Sequence, residues 1–434
     1  MLCGSRRLMS AKVKAGWAPL NDPKLQIINP NAHPPLGKPA SAAYPRRRIP
    51  LKAVRSISMR KLIGCTLLIA LVAAAGGYAW WTTQRDVGHY LSDLRIELAI
   101  NEGVNNDRGN LLGIEPDLSP RDYQSLALVH LKLAAYLDTA RAAGLLNDKT
   151  VVVLPEHIGS WLMFRGEKSE LYQAANLNEA MRWLAVSNPL AFANAWLRAD
   201  GESRINDAHL RMKASSMAAD YQTLFGGLAK EFGVTLVAGS IALPSPRIEN
   251  GTLLPGTGPL YNSSVVFGSD GAALGTPQRQ LLPTYEEQSY IQPSPDHELN
   301  VFDTPAGRLG ILIGSDSWYP ENYRTLNEKR VQLIAVPAFI VGKTTWDKPW
   351  GGYKSVSTPS EISLKPGEVT EGDAWHRLTL ISSLPSSTAQ AGVTVFLRGK
   401  FWDKHSTGLG FISHNGQTSA DQPGTGARLL NVWL

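Results

Sequence analysis

The chain has 434 residues, of which 43% are hydrophobic and 18% charged, a composition typical of a folded protein. Residues 1–61 carry 13 Lys and Arg against one acid, Asp22, whereas the remaining residues carry 30 Lys and Arg against 36 Asp and Glu. The net charge of +6 therefore belongs to the N-terminal segment. Because nucleic-acid binding needs a basic surface on the folded domain, this distribution argues against a nucleic-acid partner.

The two cysteines, Cys3 and Cys65, both precede the main body of the chain. Their position excludes a disulfide framework and a cysteine-ligated metal in that body. It also excludes a cysteine nucleophile there. No cofactor and no metal ion are expected from the motifs described below.

An apolar segment, residues 62–81, contains 20 residues without a charge, long enough to cross a membrane as a helix. Arg60 and Lys61 precede it, and Trp80 and Trp81 end it. The positive-inside rule predicts a single span in the inner membrane, with the N-terminus in the cytoplasm and the main domain outside it. Two alternatives stay open: a retained anchor, or a signal sequence cleaved near Tyr78.

The first 61 residues are basic and rich in proline, without usable periodicity. We predict that they are either a disordered cytoplasmic tail or an over-long gene start, since a natural signal sequence would begin at Met59.

Strand and helix signals alternate through residues 86–434, which predicts an α/β domain. Ser119 with Pro120 predicts the start of a helix that runs to Gly144. The other expected helices are 217–232 and 322–329. The expected strands are 95–104, 150–154, 234–241, 261–267, 308–313, 331–336, 392–397 and 408–413.

An insert of about 60 residues, 159–216, separates the strand at 150–154 from the next helix, a longer connection than usual. It contains the run Trp161–Phe164 and helical pieces with further aromatic residues. Three interpretations stay open: a helical subdomain with its own small core, a lid over a pocket, or a surface resting on the bilayer.

Three strand ends carry polar residues that a pocket at one edge of a sheet would need. Glu156 follows the strand VVVLP, Glu286 and Glu287 end the run QRQLLPTYEE, and Gly314 with Ser315 ends ILI. Each signal is weak alone, because a glutamate after a strand more often begins a loop than acts as a catalytic acid.

Together, VVVLPEHIGSW, YNSSVVFGSDG, QRQLLPTYEE and RLGILIGSDSWYPE resemble, in order, the motifs of the nitrilase, or carbon-nitrogen hydrolase, superfamily across roughly residues 93–417. The resemblance implies an α-β-β-α sandwich. It also implies a cysteine nucleophile, a glutamate that transfers protons and a lysine that stabilises negative charge. Family members pair through their sheets, so a homo-oligomer or a complex with another membrane protein is expected.

Carried over by position, the resemblance assigns the catalytic glutamate to Glu156 and a further site glutamate to Glu286. The lysine position, counted from Pro283, falls on Gln278, and the cysteine position falls on Gly314. Two of the three central residues are therefore replaced, and residues of this kind act as a unit.

Ser315 is the fallback nucleophile, with Glu156 or His157 as its base. Adjacent strand residues point to opposite faces, so we expect His157 to face away from Glu156 and to be structural. The leading hypothesis is therefore a membrane-anchored, extracytoplasmic binding or scaffold protein without thiol-based amidase activity. The alternative is a hydrolase or acyltransferase that acts on amide or lipid-linked substrates through Ser315.

Overall fold

Two β-sheets lie face to face in this computed structural model, and helices cover the outer face of each sheet. The structure describes residues 58–85, 88, 90–353, 355, 358–380 and 388–434. The predicted basic tail lies outside these residues except for its last four positions. The four-layer order of helices, sheet, sheet and helices confirms the α-β-β-α sandwich expected from the sequence.

The first sheet has eight strands and combines parallel and antiparallel pairs. Strands are numbered in chain order. In spatial order the sheet contains β1 (Ile96–Glu102), β19 (Ala427–Trp433), β2 (Asn110–Glu115), β4 (Thr150–Val153), β5 (Thr235–Val237), β9 (Leu260–Phe267) and β10 (Ala273–Arg279), and β6 (Ile241–Pro244) also pairs with β9.

The second sheet has six strands, with parallel pairing at its centre. In spatial order it contains β11 (Val301–Thr304), β12 (Gly307–Ile311), β13 (Leu333–Ala338), β14 (Ala391–Phe396), β17 (Phe411–His414) and β18 (Gln417–Ala420). Short strands outside both sheets are β3 (Asp117–Leu118), β7 (Arg247–Glu249), β8 (Thr252–Leu254), β15 (Arg398–Phe401) and β16 (Lys404–Ser406).

Apolar side chains of both sheets form the central core. Val151 and Val153 of β4 pack with Ile311 of β12 and Val393 of β14, and all four are fully buried. The sheets approach closely at Gly113, where a Cβ atom would lie 2.6 Å from Val395 Cγ1. The strands that carry the candidate site are therefore held in place by a close-packed core.

The helices flank the sheets or precede them. They are α1 (Met59–Thr83), α2 (Leu126–Ala142), α3 (Ser169–Gln173), α4 (Leu177–Ser187), α5 (Pro189–Trp196), α6 (Arg204–Tyr221), α7 (Gly227–Phe232), α8 (Pro320–Glu328) and α9 (Glu371–Leu378). A π-helical turn, Gln222–Gly226, joins α6 to α7. In the described part of the chain, α1 is the one helix long and apolar enough to cross a membrane.

The predicted insert is helical, as expected, but it does not form a separate subdomain. Leu162, Phe164, Leu171 and Leu184 belong to the same core cluster as the first sheet and its helices. Only the α5–α6 corner, around Ala195 and Ala208, has a small core of its own. Helix α6 also runs through the predicted boundary at residue 216.

Candidate functional site

Glu156 lies just beyond the carboxyl end of β4, as expected from the sequence. Its side chain is buried, and Oε1 accepts hydrogen bonds from Asn262 Nδ2 at 2.9 Å and Gln280 Nε2 at 3.3 Å. Oε2 accepts none from the residues that the structure describes. Burial raises the pKa of Glu156 to about 8, so this carboxyl holds its proton at neutral pH.

Gly314, the counted cysteine position, begins the turn Gly314–Trp318 after β12 and lies directly opposite Glu156. A Cβ atom on Gly314 would lie 2.8 Å from Glu156 Oε2. The backbone of Gly314 has φ +53°, a left-handed conformation that glycine adopts at little cost. The structure thus brings these two predicted site residues so close together that a side chain at position 314 would have to displace the carboxyl of Glu156.

Asp316 binds the Gly314 turn to the segment that follows β10. Its carboxylate accepts hydrogen bonds from Leu281 N at 2.9 Å and Leu282 N at 2.8 Å. Burial raises the pKa of Asp316 to about 7. Because these bonds hold Gly314 and Gln280 on opposite sides of Glu156, Asp316 positions the site.

The lysine position needs a correction. Gln278 is buried away from the cavity, where its amide hydrogen-bonds the backbone of Glu298 and Asn300. Gln280, two residues later, is the amide beside Glu156. Strand β10 ends at Arg279, so Gln280 lies just beyond the strand, where its side chain turns towards Glu156.

The second glutamate of the site is Glu287, because Glu286 is exposed at the rim of the cavity. Glu287 Oε2 accepts hydrogen bonds from Thr284 N at 2.9 Å and Thr284 Oγ1 at 2.8 Å, and Oε1 lies 3.0 Å from His157 Nε2. Burial alone would raise the pKa of Glu287, but the hydrogen bond and charge of His157 lower it. The structure therefore places Glu287, and not Glu286, at the position expected for the further site glutamate.

His157 faces the site, so the expectation that it points away is wrong. The residue has φ +61°, and this left-handed backbone turns consecutive side chains to the same side. His157 Nε2 lies 3.9 Å from Glu156 Oε1. Burial acts to lower the pKa of His157, but the hydrogen bond and the charge of Glu287 raise it. His157 and Glu287 thus form a buried ion pair beside the protonated Glu156.

Ser315 is buried, and its Oγ donates a hydrogen bond to Leu282 O at 3.0 Å. Among the described residues, no hydrogen bond joins Ser315 to Glu156 or to a histidine. A serine needs such a bond to a base before it can attack a carbonyl, so the geometry does not activate Ser315.

A cavity of about 840 Å³ opens over Glu156, His157 and Gly314. Its walls are largely apolar, and the insert supplies one of them. Residues that line this cavity include Trp161, Phe164, Leu177, Met181, Tyr285, Tyr290, Trp318 and Phe339. A polar base beneath aromatic walls suits a small molecule with one polar group.

Glu156, His157 and Glu287 each offer one ligand atom, all within 4.8 Å of one another. One imidazole and two carboxylates form a donor set that suits zinc, manganese or iron. In the structure His157 pairs with Glu287, so metal binding would have to displace a hydrogen bond. The arrangement therefore favours proton sharing between these groups.

The sequence contained signals for several of the missed site residues. Gln280 belongs to the same motif as Gln278, QRQLLPTYEE, two positions later. Asn262 lies in the YNSS motif, and Glu287 is adjacent to the predicted glutamate. The left-handed conformation of His157 has no comparable sequence signal.

Residues 151–352 match the family model described as carbon-nitrogen hydrolase. N-carbamoylputrescine amidase of Arabidopsis thaliana is 30% identical over 83 residues, which are 18% of this chain and 27% of that protein. A nitrilase of Pyrococcus abyssi is 33% identical over 119 residues, 27% of this chain and 40% of that protein. Deaminated glutathione amidase of Yersinia enterocolitica is 26% identical over 188 residues, 40% of this chain and 58% of the enzyme.

The chain therefore spans between about a quarter and three fifths of the length of these relatives. Among solved structures, an amidase from Nesterenkonia sp. is similar, with 14% identity and a TM-score of 0.44. That similarity covers 76% of this chain and 92% of the amidase.

Proposed function

We propose, from the premise that this chain has the carbon-nitrogen hydrolase fold, that it is a membrane-anchored binding protein without thiol-based amidase or nitrilase activity. One observation carries the proposal: Gly314 stands where a side chain would touch the catalytic glutamate position, Glu156. No cysteine occurs after residue 65. Without a thiolate, an amide carbon at this site meets no covalent nucleophile.

The charge of the site supports the same proposal. Gln278, the counted lysine position, is turned away from the cavity, and the amide that contacts Glu156 is that of Gln280, which carries no positive charge. The single cationic group beside Glu156 in the described structure is His157, and Glu287 neutralises it. An oxyanion formed here would therefore lack the cation that stabilises it in the family mechanism.

We further propose that the cavity binds a molecule that carries an amide or carbamoyl group. The protonated Glu156 can donate a hydrogen bond to a carbonyl oxygen, and the aromatic walls accept an apolar remainder. The named amidases among the relatives act on groups of this kind. In this proposal the site still binds the amide or carbamoyl group but no longer cleaves it.

Helix α1 and the basic residues before it support an inner-membrane location with the domain outside the cytoplasm. The Ser315 hydrolase is the weaker candidate, because Ser315 Oγ is bound to Leu282 O.

The test uses the detergent-solubilised full chain and a panel of primary amides, carbamoyl amines and nitriles. We expect no ammonia release above background and no labelling by a fluorophosphonate. We also expect saturable quenching of tryptophan fluorescence by some amides, because Trp161 lines the cavity. Glu156→Met removes the hydrogen-bond donor and should weaken this binding by roughly tenfold, about the value of one hydrogen bond, whereas Glu156→Gln keeps an N–H donor and should still bind.

The matched control is Glu328→Gln, an exposed glutamate of α8, which should bind like the wild type. Fluorophosphonate labelling that Ser315→Ala abolishes would overturn the proposal in favour of a serine hydrolase. Ammonia release that disappears in Glu156→Gln would overturn it as well. Absence of binding by the whole panel would overturn the amide-recognition part.

A further inference from the structure

An uncharged stretch of 15 residues, 183–197, crosses the surface of the insert between Arg182 and Arg198. It contains the end of α4 and all of α5. Leu190 is 85% exposed and Leu197 is 81% exposed. With the exposed Ala193, these residues follow the spacing i, i+3, i+7, which places them on one face of α5.

This apolar face is unusual for a surface in water. Trp196 is also exposed, and Val186 is exposed at the end of α4. Scattered exposed leucines need no explanation, but a largely apolar face, interrupted by the exposed Asn194 and bordered in sequence by arginines, indicates an interaction surface. We call the surface formed by Val186, Leu190, Ala193, Trp196 and Leu197 the α5 face.

The end of the apolar helix α1 contacts the same elements. Tyr78 OH donates a hydrogen bond to Val186 O at 2.5 Å, and the rings of Trp81 and Trp183 lie 6.3 Å apart. Lys168 Nζ lies 4.1 Å above the ring of Trp81. The α5 face therefore begins beside the last turns of α1, where a spanning helix leaves the hydrocarbon layer.

The composition of the α5 face is typical of a surface at the membrane–water interface. Tryptophan is enriched at the membrane–water interface, and long arginine side chains can extend from an apolar helix to the headgroups. Arg182 and Arg198 border the uncharged stretch on both sides, and both are exposed. An interfacial helix buries an apolar face and keeps a polar one in water.

We propose that the α5 face docks on the lipid bilayer in which α1 is anchored, with Leu190 and Leu197 below the headgroups. The inference rests on the proposed anchor. Met181 and Leu177 of α4 line the cavity, so docking brings the cavity wall close to the membrane surface. A ligand with an apolar chain would then reach the cavity from the bilayer.

The experiment measures membrane depth in the full chain, reconstituted in vesicles of phosphatidylcholine and phosphatidylglycerol. Cys3 and Cys65 are first replaced by serine. L190C is then labelled with an environment-sensitive nitrobenzoxadiazole dye, and lipids carrying a doxyl quencher are added. We expect a blue-shifted emission and a loss of roughly half of it to the quencher, because the dye lies at the acyl boundary.

Two further labelled sites make the result decisive. L131C replaces a leucine of α2 that is 61% exposed and far from the uncharged stretch in sequence, and its dye should show no quenching. L68C lies in α1 and tests the anchor alone. Quenching at 68 without quenching at 190 would overturn the docking and leave the anchor intact. No quenching at 68 would overturn the anchor, and the docking with it.

Discussion

Gly314 meets two constraints at once, a left-handed backbone and the neighbouring carboxyl of Glu156. A residue with a Cβ atom costs about 1–2 kcal/mol in this conformation. In Gly314→Ala the new methyl group must also displace Glu156 Oε2, which would lie 2.8 Å away. We therefore expect Gly314→Ala to lower the free energy of unfolding, measured in urea, by more than the cost of the left-handed backbone alone.

Gly144 provides the matched control for that measurement. It has φ +74°, and no atom lies within 4 Å of the position of its Cβ. Gly144→Ala should therefore lose only the backbone term, about 1–2 kcal/mol. Equal losses in the two variants would show that Glu156 does not crowd position 314.

Among the site residues, the sequence predicted Glu156 and the missing nucleophile at Gly314 but not the residues that surround them. Glu156 and Gly314 were found because strand ends are fixed by long apolar runs. Gln278 was chosen over Gln280 because a count along a motif gives a position but not the direction of its side chain, and β10 ends between these two residues, at Arg279. His157 was misjudged because alternation of side chains fails where φ is positive.

Among the elements, the insert and the end of α1 are held together at Glu167, a buried carboxylate. Glu167 forms ion pairs with Arg85 and Lys213 and accepts a hydrogen bond from Asn188 Nδ2 at 3.0 Å. It thereby connects the segment after α1, the α4–α5 junction and α6.

Glu167→Gln keeps the shape of the side chain and removes its charge. Arg85 and Lys213 then lose their counter-charge but keep part of their surface in water, so we expect a loss of about 1–3 kcal/mol. Hydrogen–deuterium exchange should show that Glu167→Gln speeds exchange in α4 and α5 relative to the wild type and leaves exchange in β4 unchanged. Glu170→Gln, a nearby glutamate of α3, should leave exchange in α4 and α5 unchanged. Unchanged exchange in Glu167→Gln as well would contradict this role for the ion pairs.

The element boundaries show where the sequence alone was sufficient to predict the secondary structure. The buried strands at 150–154 and 261–267 became β4 and β9 within about one residue, because their apolar runs end at turn residues. The helix expected from Ser119 is instead a short 3-10 helix, Pro120–Gln124, followed by α2 with Ser125 as its cap. Each serine is the N-cap of its own helix, Ser119 of the 3-10 helix and Ser125 of α2.

For the whole domain, three buried carboxyls make stability depend on pH. Burial raises the pKa of Glu156 and of Glu115 to about 8, and that of Asp316 to about 7. Glu115 connects the two sheets, since it belongs to β2 and accepts a hydrogen bond from Phe396 N of β14 at 2.8 Å. These groups keep their protons in the folded state at a pH where the unfolded chain has lost them.

The sign of the effect follows from this difference in bound protons. Below a pH of about 4 these carboxyls are protonated in both states, and their contribution to stability is complete. As pH rises the unfolded state ionises first, so stability falls until the folded carboxyls ionise, at about pH 7 for Asp316 and about pH 8 for the two glutamates. Each group contributes at most roughly 1.4 kcal/mol per pH unit to this fall.

Glu156→Gln and Glu115→Gln each remove one of these contributions while keeping an oxygen that accepts the existing hydrogen bonds. Measured against the wild type by urea unfolding at pH 5, 6.5 and 8, each variant should become relatively more stable as pH rises. Glu328→Gln, on the exposed side of α8, should run parallel to the wild type. A variant curve parallel to the wild type would mean that the replaced carboxyl ionises in the fold as it does in water. For Glu156 that result would remove the proton donor on which amide recognition depends.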